Sequence, residues 1–137
     1  MNTIYKKSKH NVYLLNAHVI FCTKYRRKVL YLDHIQYLRN LFDKLVIEYD
    51  SEILELNGEK DHIHFILSYP PHHSILSIVQ RLKGVSSRRL RQKFKEIDFN
   101  LGYKKSLWSR SFFVSNVGGV TLDVVRKYIE NQEVPNS

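Results

Sequence analysis

Three observations predict an α+β fold. Four stretches read as strands, from β-branched and aromatic content or from alternation, and apolar residues recur with a period near 3.6 in three others. The helical stretches divide the strands one, two and one, giving the order β-α-β-β-α-β with a further helix at the C-terminus. That order is the ferredoxin-like, or RRM-like, arrangement: a four-stranded antiparallel sheet with two helices on one face. The last helix is left to lie across or beside the open face. At 137 residues, 43% of them hydrophobic, the chain suits a single folded domain spanning 1–137.

In chain order, residues 1–9 are polar and basic and read as a frayed arm. His10 to Thr23 is rich in β-branched and aromatic residues and predicts the first strand. It leads into the basic loop Lys24-Tyr25-Arg26-Arg27-Lys28. From Asp33 to Tyr49 a stripe of Ile35, Leu38, Leu41, Phe42, Leu45, Val46 and Tyr49 predicts a helix with Asp33 as its N-cap. Ser51 to Asn57 predicts a second strand, and Gly58-Glu59-Lys60-Asp61 a turn into the third, His62 to Ser68.

Pro70-Pro71 ends that strand, and Ser74 caps a second helix that buries Ile75, Ile78, Val79, Leu82, Val85 and Leu90. Residues 96–106 read as a loop or short extra turn. Leu107 to Val117 predicts a fourth strand, broken by Gly118-Gly119. Thr121 starts the last helix, closed by Val134-Pro135.

Charge gives the first indication of function. Lys and Arg number 22 against 13 Asp and Glu, a net charge of +9. Seven acids lie between positions 43 and 61, whereas Arg81 to Lys95 holds seven basic residues and no acid. A polyanionic partner follows, nucleic acid above all. Lys24, Arg26 and Arg27 in the loop, with Lys83, Arg88, Arg89 and Arg91 on the second helix, are the candidate phosphate contacts. One cysteine, Cys22, excludes a disulfide framework or a thiolate zinc site and reads as a small buried residue. With no membrane-length apolar run and no signal-peptide pattern, the expected location is the cytoplasm.

The chemistry-bearing stretch is Asp61-His62-Ile63-His64-Phe65-Ile66-Leu67-Ser68. On a strand, Ile63, Phe65 and Leu67 face the core, so His62 and His64 leave the other face together. On the last helix, Tyr128 and Gln132 are four apart and therefore neighbours. Two neutral imidazoles and an amide oxygen make a three-ligand site with open positions, suited to Mg²⁺ or Mn²⁺. A metal there would polarise a phosphodiester, and Tyr128 would be placed as its nucleophile. Singly, each residue has a plain structural reading: half-buried packing for a helix tyrosine, solvation for a terminal glutamine. His72 and His73 read as exposed loop residues able to touch phosphate, and His10 and His18 as satisfied polar residues on a sheet face. The joint pattern is what carries the argument.

Several segments resemble the single-tyrosine HUH transposases, the TnpA proteins of small bacterial and archaeal insertion sequences. They are Thr23-Lys24-Tyr25-Arg26-Arg27, Asp61-His62-Ile63-His64, Leu82-Lys83-Gly84-Val85-Ser86-Ser87-Arg88, Leu107-Trp108-Ser109-Arg110-Ser111-Phe112-Phe113 and Lys127-Tyr128-Ile129-Glu130-Asn131-Gln132. The resemblance runs from about His10 to Gln132. It implies that Tyr128 attacks single-stranded DNA to form a 5′-phosphotyrosine, with His62, His64 and Gln132 holding the metal. It also implies recognition of subterminal hairpins at the element's ends, and a homodimer in which the tyrosine helix of one subunit completes the partner's histidine site. Gly118-Gly119 would be the joint of that helix. The family often has proline where this chain has Lys60, a change that removes no ligand. Two alternatives remain: a non-catalytic single-stranded nucleic-acid-binding module, which needs exposed aromatics on the central strands, and a metal phosphodiesterase acting on small nucleotides.

Overall fold

The structure is a computed structural model that describes residues 6–7, 12–101, 106–117 and 122–132. Two short strands, β1 (Lys6–Lys7) and β2 (Val12–Tyr13), pair antiparallel ahead of the main sheet. The expected frayed arm is thus corrected at Lys6 and Lys7, and Lys6 Nζ meets Glu52 Oε2 at 2.7 Å. The main sheet contains β3 (Asn16–Cys22), β4 (Glu52–Glu59), β5 (His62–Ser68) and β6 (Phe113–Asn116), in the order β4-β5-β3-β6. All its pairings are antiparallel. The predicted fold class is what the chain adopts.

The alternation in β3 and β5 sends Ala17, Val19 and Phe21, with Ile63, Phe65 and Leu67, toward the helices. There they join one cluster with Leu38, Phe42, Ile78, Val79, Leu82, Leu90, Ile97, Leu107 and Trp108. The helices are α1 (Leu32–Leu45), α2 (Ile75–Lys93) and α3 (Lys95–Leu101). A fourth, α4 (Leu122–Glu130), carries Tyr128. Ser74 caps α2 as expected, its Oγ accepting from the Ser77 amide at 3.3 Å.

Four local expectations are corrected. Tyr31, not Asp33, precedes the first helical residue of α1. The Val29 and Leu30 amides both donate to Lys60 O at 3.0 Å, which holds the chain extended. The Tyr31 amide donates to His34 Nδ1 at 2.9 Å, and Asp33 sits in the first turn. Gly58 and Glu59 belong to β4 rather than to the turn, which is Lys60-Asp61 alone. A Cβ on Gly58 would lie 2.7 Å from His62 O and 2.8 Å from Ile63 Cγ2, so this strand position demands glycine.

Of the loop or short extra turn expected over 96–106, residues 95–101 form a two-turn helix, α3, that begins one residue earlier and is anchored by buried Ile97 and Leu101. The expected strand over 107–117 shrinks to β6. Thr23 bridges Trp108 while Ile20 pairs with Phe113, so the edge chain has two more residues than β3 between these points and bulges out. Trp108 Nε1 donates to Ser86 Oγ at 2.9 Å on α2, fixing the start of the bulge. His10, Gly118-Gly119, Thr121 and Val134-Pro135 lie outside the described residues.

Candidate active site

Cross-strand partners share a face of a sheet. Cys22 opposes His62, Ile20 opposes His64 and His18 opposes Ile66, and Phe113 and Ser115 of β6 continue the Ile20 and His18 rows. His62 and His64 therefore leave the sheet on the side away from α1 and α2, as their spacing predicts. Their rings stack with centroids 6.1 Å apart and planes 24° from parallel.

Asp61 orients the first imidazole. Its Oδ1 accepts from His62 Nδ1 at 2.8 Å, with both side chains nearly buried. A proton held on Nδ1 leaves the Nε2 lone pair for a metal. Asp61 is itself braced: Arg26 Nε donates to its Oδ2 at 3.4 Å, and its carbonyl accepts from the Thr23 amide at 2.9 Å and the Thr23 hydroxyl at 3.1 Å. This task for Asp61 is not among the roles expected from the sequence. A carboxylate directly before an outward histidine is the signal that points to it.

His64 is kept neutral. Burial lowers its pKa below the ordinary 6.5, and His18 and His62 push the same way against weaker opposition from Glu55 and Glu59. His18 meets His64 edge-on at 5.6 Å, and burial lowers its pKa too. The expectation of a satisfied His18 is corrected, because its Nε2 is buried without a hydrogen-bond partner. The face thus carries three imidazoles, His18, His62 and His64, and only two were paired from the sequence.

The helix α4 lies on this same face. The Tyr128 ring packs on Phe113 with centroids 5.3 Å apart, and its hydroxyl is 3.4 Å from Ser111 Oγ. Burial raises the Tyr128 pKa above 10, outweighing the hydrogen bonds from Ser111 and Gln132. Gln132 Oε1 accepts from Ser109 Oγ at 3.2 Å, and Gln132 Nε2 donates to Tyr128 O at 3.3 Å. Gln132 lines a cavity of about 410 Å³ with Lys24, Tyr25, Ser109, Arg110 and Ser111.

The site is thus assembled as two pairs, His62/His64 on β5 and Tyr128/Gln132 beside β6, with β3 between them. Among the described residues no hydrogen bond or ring contact joins one pair to the other. Cys22, between them, is fully buried. Burial and nearby Asp61 push its thiol up to about 12 despite Arg26, so it is inert at neutral pH.

The basic candidates divide. Arg26 is held by Asp61, and Arg27 donates to the carbonyls of Asn100 and Leu101 at 3.4 and 3.2 Å, so both brace the protein. Lys83 donates to Arg110 O at 2.6 Å, and burial lowers its pKa. Lys24 borders the Gln132 cavity, Arg88 and Arg89 are exposed on α2, and Arg91 donates to Ser87 O at 3.3 Å. The open-face positions of the central strands are Asn16, His18, Ile20 and Cys22 with His62, His64, Ile66 and Ser68. They include no Phe, Tyr or Trp, so the stacking platform of an RNA-recognition motif is missing.

Fold and face together define an α+β protein that keeps its main core on one side of the sheet and the imidazoles of His18, His62 and His64 on the other. Residues 11–132 match the family described as "Transposase IS200 like". The chain belongs to that family of transposases. It is 32% identical over 127 residues to the ISDra2 transposase TnpA of Deinococcus radiodurans, covering 93% of this chain and 90% of that one. It is also 32% identical to the transposase for insertion sequence element IS200 of Salmonella typhimurium, covering 93% of this chain and 82% of that one. A crystal structure of a transposase from Deinococcus radiodurans superposes with a TM-score of 0.85 at 32% identity, covering 95% and 99% of the two chains. A REP-associated tyrosine transposase bound to a REP hairpin shares the fold at a TM-score of 0.56 and 16% identity, covering 90% of this chain and 69% of that one. Among the described residues no helix is long and apolar enough to cross a membrane.

Proposed function

We propose that this transposase cleaves and rejoins single-stranded DNA at the ends of an insertion sequence, with Tyr128 as nucleophile. The phenolic oxygen attacks a backbone phosphorus and the bond to the 3′-oxygen breaks. A 5′-phosphotyrosine and a free 3′-hydroxyl result. A phenol is protonated at neutral pH, and burial raises the Tyr128 pKa further, so its proton leaves as the new bond forms, and the departing 3′-oxygen gains one. Reversal by a second 3′-hydroxyl rejoins strands and frees the tyrosine, so no nucleotide cofactor is consumed.

His62 through Nε2, His64 through a ring nitrogen and Gln132 through Oε1 would hold Mg²⁺ or Mn²⁺. The donor set fits: Asp61 fixes the His62 tautomer, His64 is neutral, and Gln132 Oε1 keeps a lone pair beyond the Ser109 bond. A cation bound there supplies Lewis-acid polarisation of the phosphate and stabilises charge on the leaving oxygen. Lys24, Arg88 and Arg89 contact DNA phosphates in this reading, and subterminal hairpins are the element recognised. Two chains form a homodimer whose tyrosine helices complete each other's histidine sites.

The observation that carries the proposal is the single sheet face bearing both the Asp61-oriented histidine pair and the Tyr128/Gln132 helix. Its test is a hairpin-bearing oligonucleotide incubated with the protein and Mg²⁺ or Mn²⁺. Wild type should yield a covalent protein–DNA adduct with a free 3′-hydroxyl, and Tyr128→Phe none. An adduct that survives in Tyr128→Phe rejects the mechanism.

A further inference from the structure

Among the described residues, two clusters of potential metal ligands lie away from this face: Asp33, His34 and Glu96, and Asp50, His72 and His73. The first is closed to a metal. His34 Nδ1 accepts from the Tyr31 amide, so its proton is on Nε2, which faces Glu96 Oε1 at 3.1 Å. Both ring nitrogens are engaged, and His34 is a buried brace between α1 and α3.

The second cluster differs in every one of these respects. His72 Nε2 and His73 Nε2 converge on one oxygen, Asp50 Oδ2, at 3.5 and 3.7 Å. These distances exceed the 2.7–3.2 Å range of an N–H···O hydrogen bond. They are close to the separation of about 3.3 Å between ligand atoms on one tetrahedral ion with bonds of about 2.0–2.1 Å. The parts are held in place. Asp50 ends a 3₁₀ turn over Val46–Tyr49 in the left-handed region, φ 52° and ψ 35°, a conformation that non-glycine residues rarely adopt. The His73 ring packs edge-on to Tyr49 with centroids 5.5 Å apart, and its amide donates to Pro70 O at 3.4 Å.

We propose that Asp50, His72 and His73 form a second divalent-cation site, separate from His62 and His64. Two imidazoles and a carboxylate that converge within the reach of one tetrahedral ion suit Zn²⁺, which takes both ligand types. His62 begins β5 and His72 follows its end, so the two sites lie toward opposite ends of that strand. The ion would clamp the turn after α1 to the loop entering α2. Arg81 Nε and Glu48 Oε2, 3.2 Å apart, already join the same two parts of the chain. The site would thereby steady the start of the basic helix, independently of the cleavage chemistry.

The test is a count of bound Zn²⁺ on tag-free, chelator-treated full-length chain, for wild type and His72→Ala/His73→Ala. Loss of one equivalent in the variant is expected, with a rise in melting temperature on adding Zn²⁺ that the variant lacks in part. Asp50→Asn should weaken binding at that equivalent. An unchanged count in His72→Ala/His73→Ala overturns the proposal. Tyr128→Phe, which lacks the proposed nucleophile, should keep the full Zn²⁺ count, so failure of the tyrosine mechanism and failure of the second site give different results.

Discussion

On the helix side of the sheet, Phe21, Phe42 and Phe65 meet edge to face with ring centroids 5.2 to 6.3 Å apart. On the opposite side the same strands hold His18, His62 and His64 at comparable spacings, 5.6 and 6.1 Å. The geometry is similar, but the two sides differ in completeness. Every phenylalanine in that trio is fully buried among apolar neighbours. The imidazole side, in contrast, keeps His18 Nε2 and Asn16 Oδ1 buried without partners, and has one nitrogen of His62 turned away from Asp61. A sheet with period two can give one side wholly to stability and the other to groups that need a further partner. Stability and chemistry should therefore separate by substitution.

The largest expected effect concerns chemistry alone. Tyr128→Phe should lower cleavage by about 10⁴-fold or more, yet change stability by only about 0.5 kcal/mol, since its hydroxyl lies 3.4 Å from Ser111 and its ring stays packed on Phe113. Mixed with His64→Ala chains, it should regain part of the activity if sites are shared between subunits. No recovery in proven heterodimers would assign each site to one chain.

Phe21→Ala is the converse. It should cost about 3–5 kcal/mol in chemical denaturation, while molecules that remain folded bind DNA as before. A core variant that leaves stability intact would break the division between the faces.

Asp61→Asn probes the link between them, since Asp61 joins His62 to Arg26. Metal affinity measured by titration should fall about 10- to 100-fold, with little loss of secondary structure.

The smallest effect is on pH. His18 and His64 have pKa values lowered from 6.5 by burial, so near and below pH 6.5 the unfolded chain binds more protons than the folded one. Their neutral forms favour folding above that pH, and this contribution is lost as pH falls from 6.5 through the folded values. Melting temperature should decline on acidification in that window, and His18→Gln with His64→Gln should flatten the decline. An unchanged slope would mean that the two imidazoles titrate normally.

The fit between sequence and structure follows the range of each signal. Ser74 at the N-cap of α2, the apolar stripes of α1 and α2, and the outward direction of His62 and His64 are all set within one or two turns of chain, and each is found as expected. The short β6 and the N-terminus of α1 were misjudged, because distant partners decide them: Trp108 is fixed by Ser86 on α2, and Leu30 by Lys60. Nor does anything near Arg26 and Arg27 in sequence reveal their contacts with Asp61 and with the carbonyls of Asn100 and Leu101.

By itself, then, the sequence determined the element order, the two faces of each strand and the family, because periodicity and motif spacing are local properties of the chain. Tertiary structure alone decided that Arg26 braces Asp61, that His18 stands against His64, and that Asp50 meets His72 and His73. Those pairings depend on strand register and loop approach, which bring together residues that no local pattern connects.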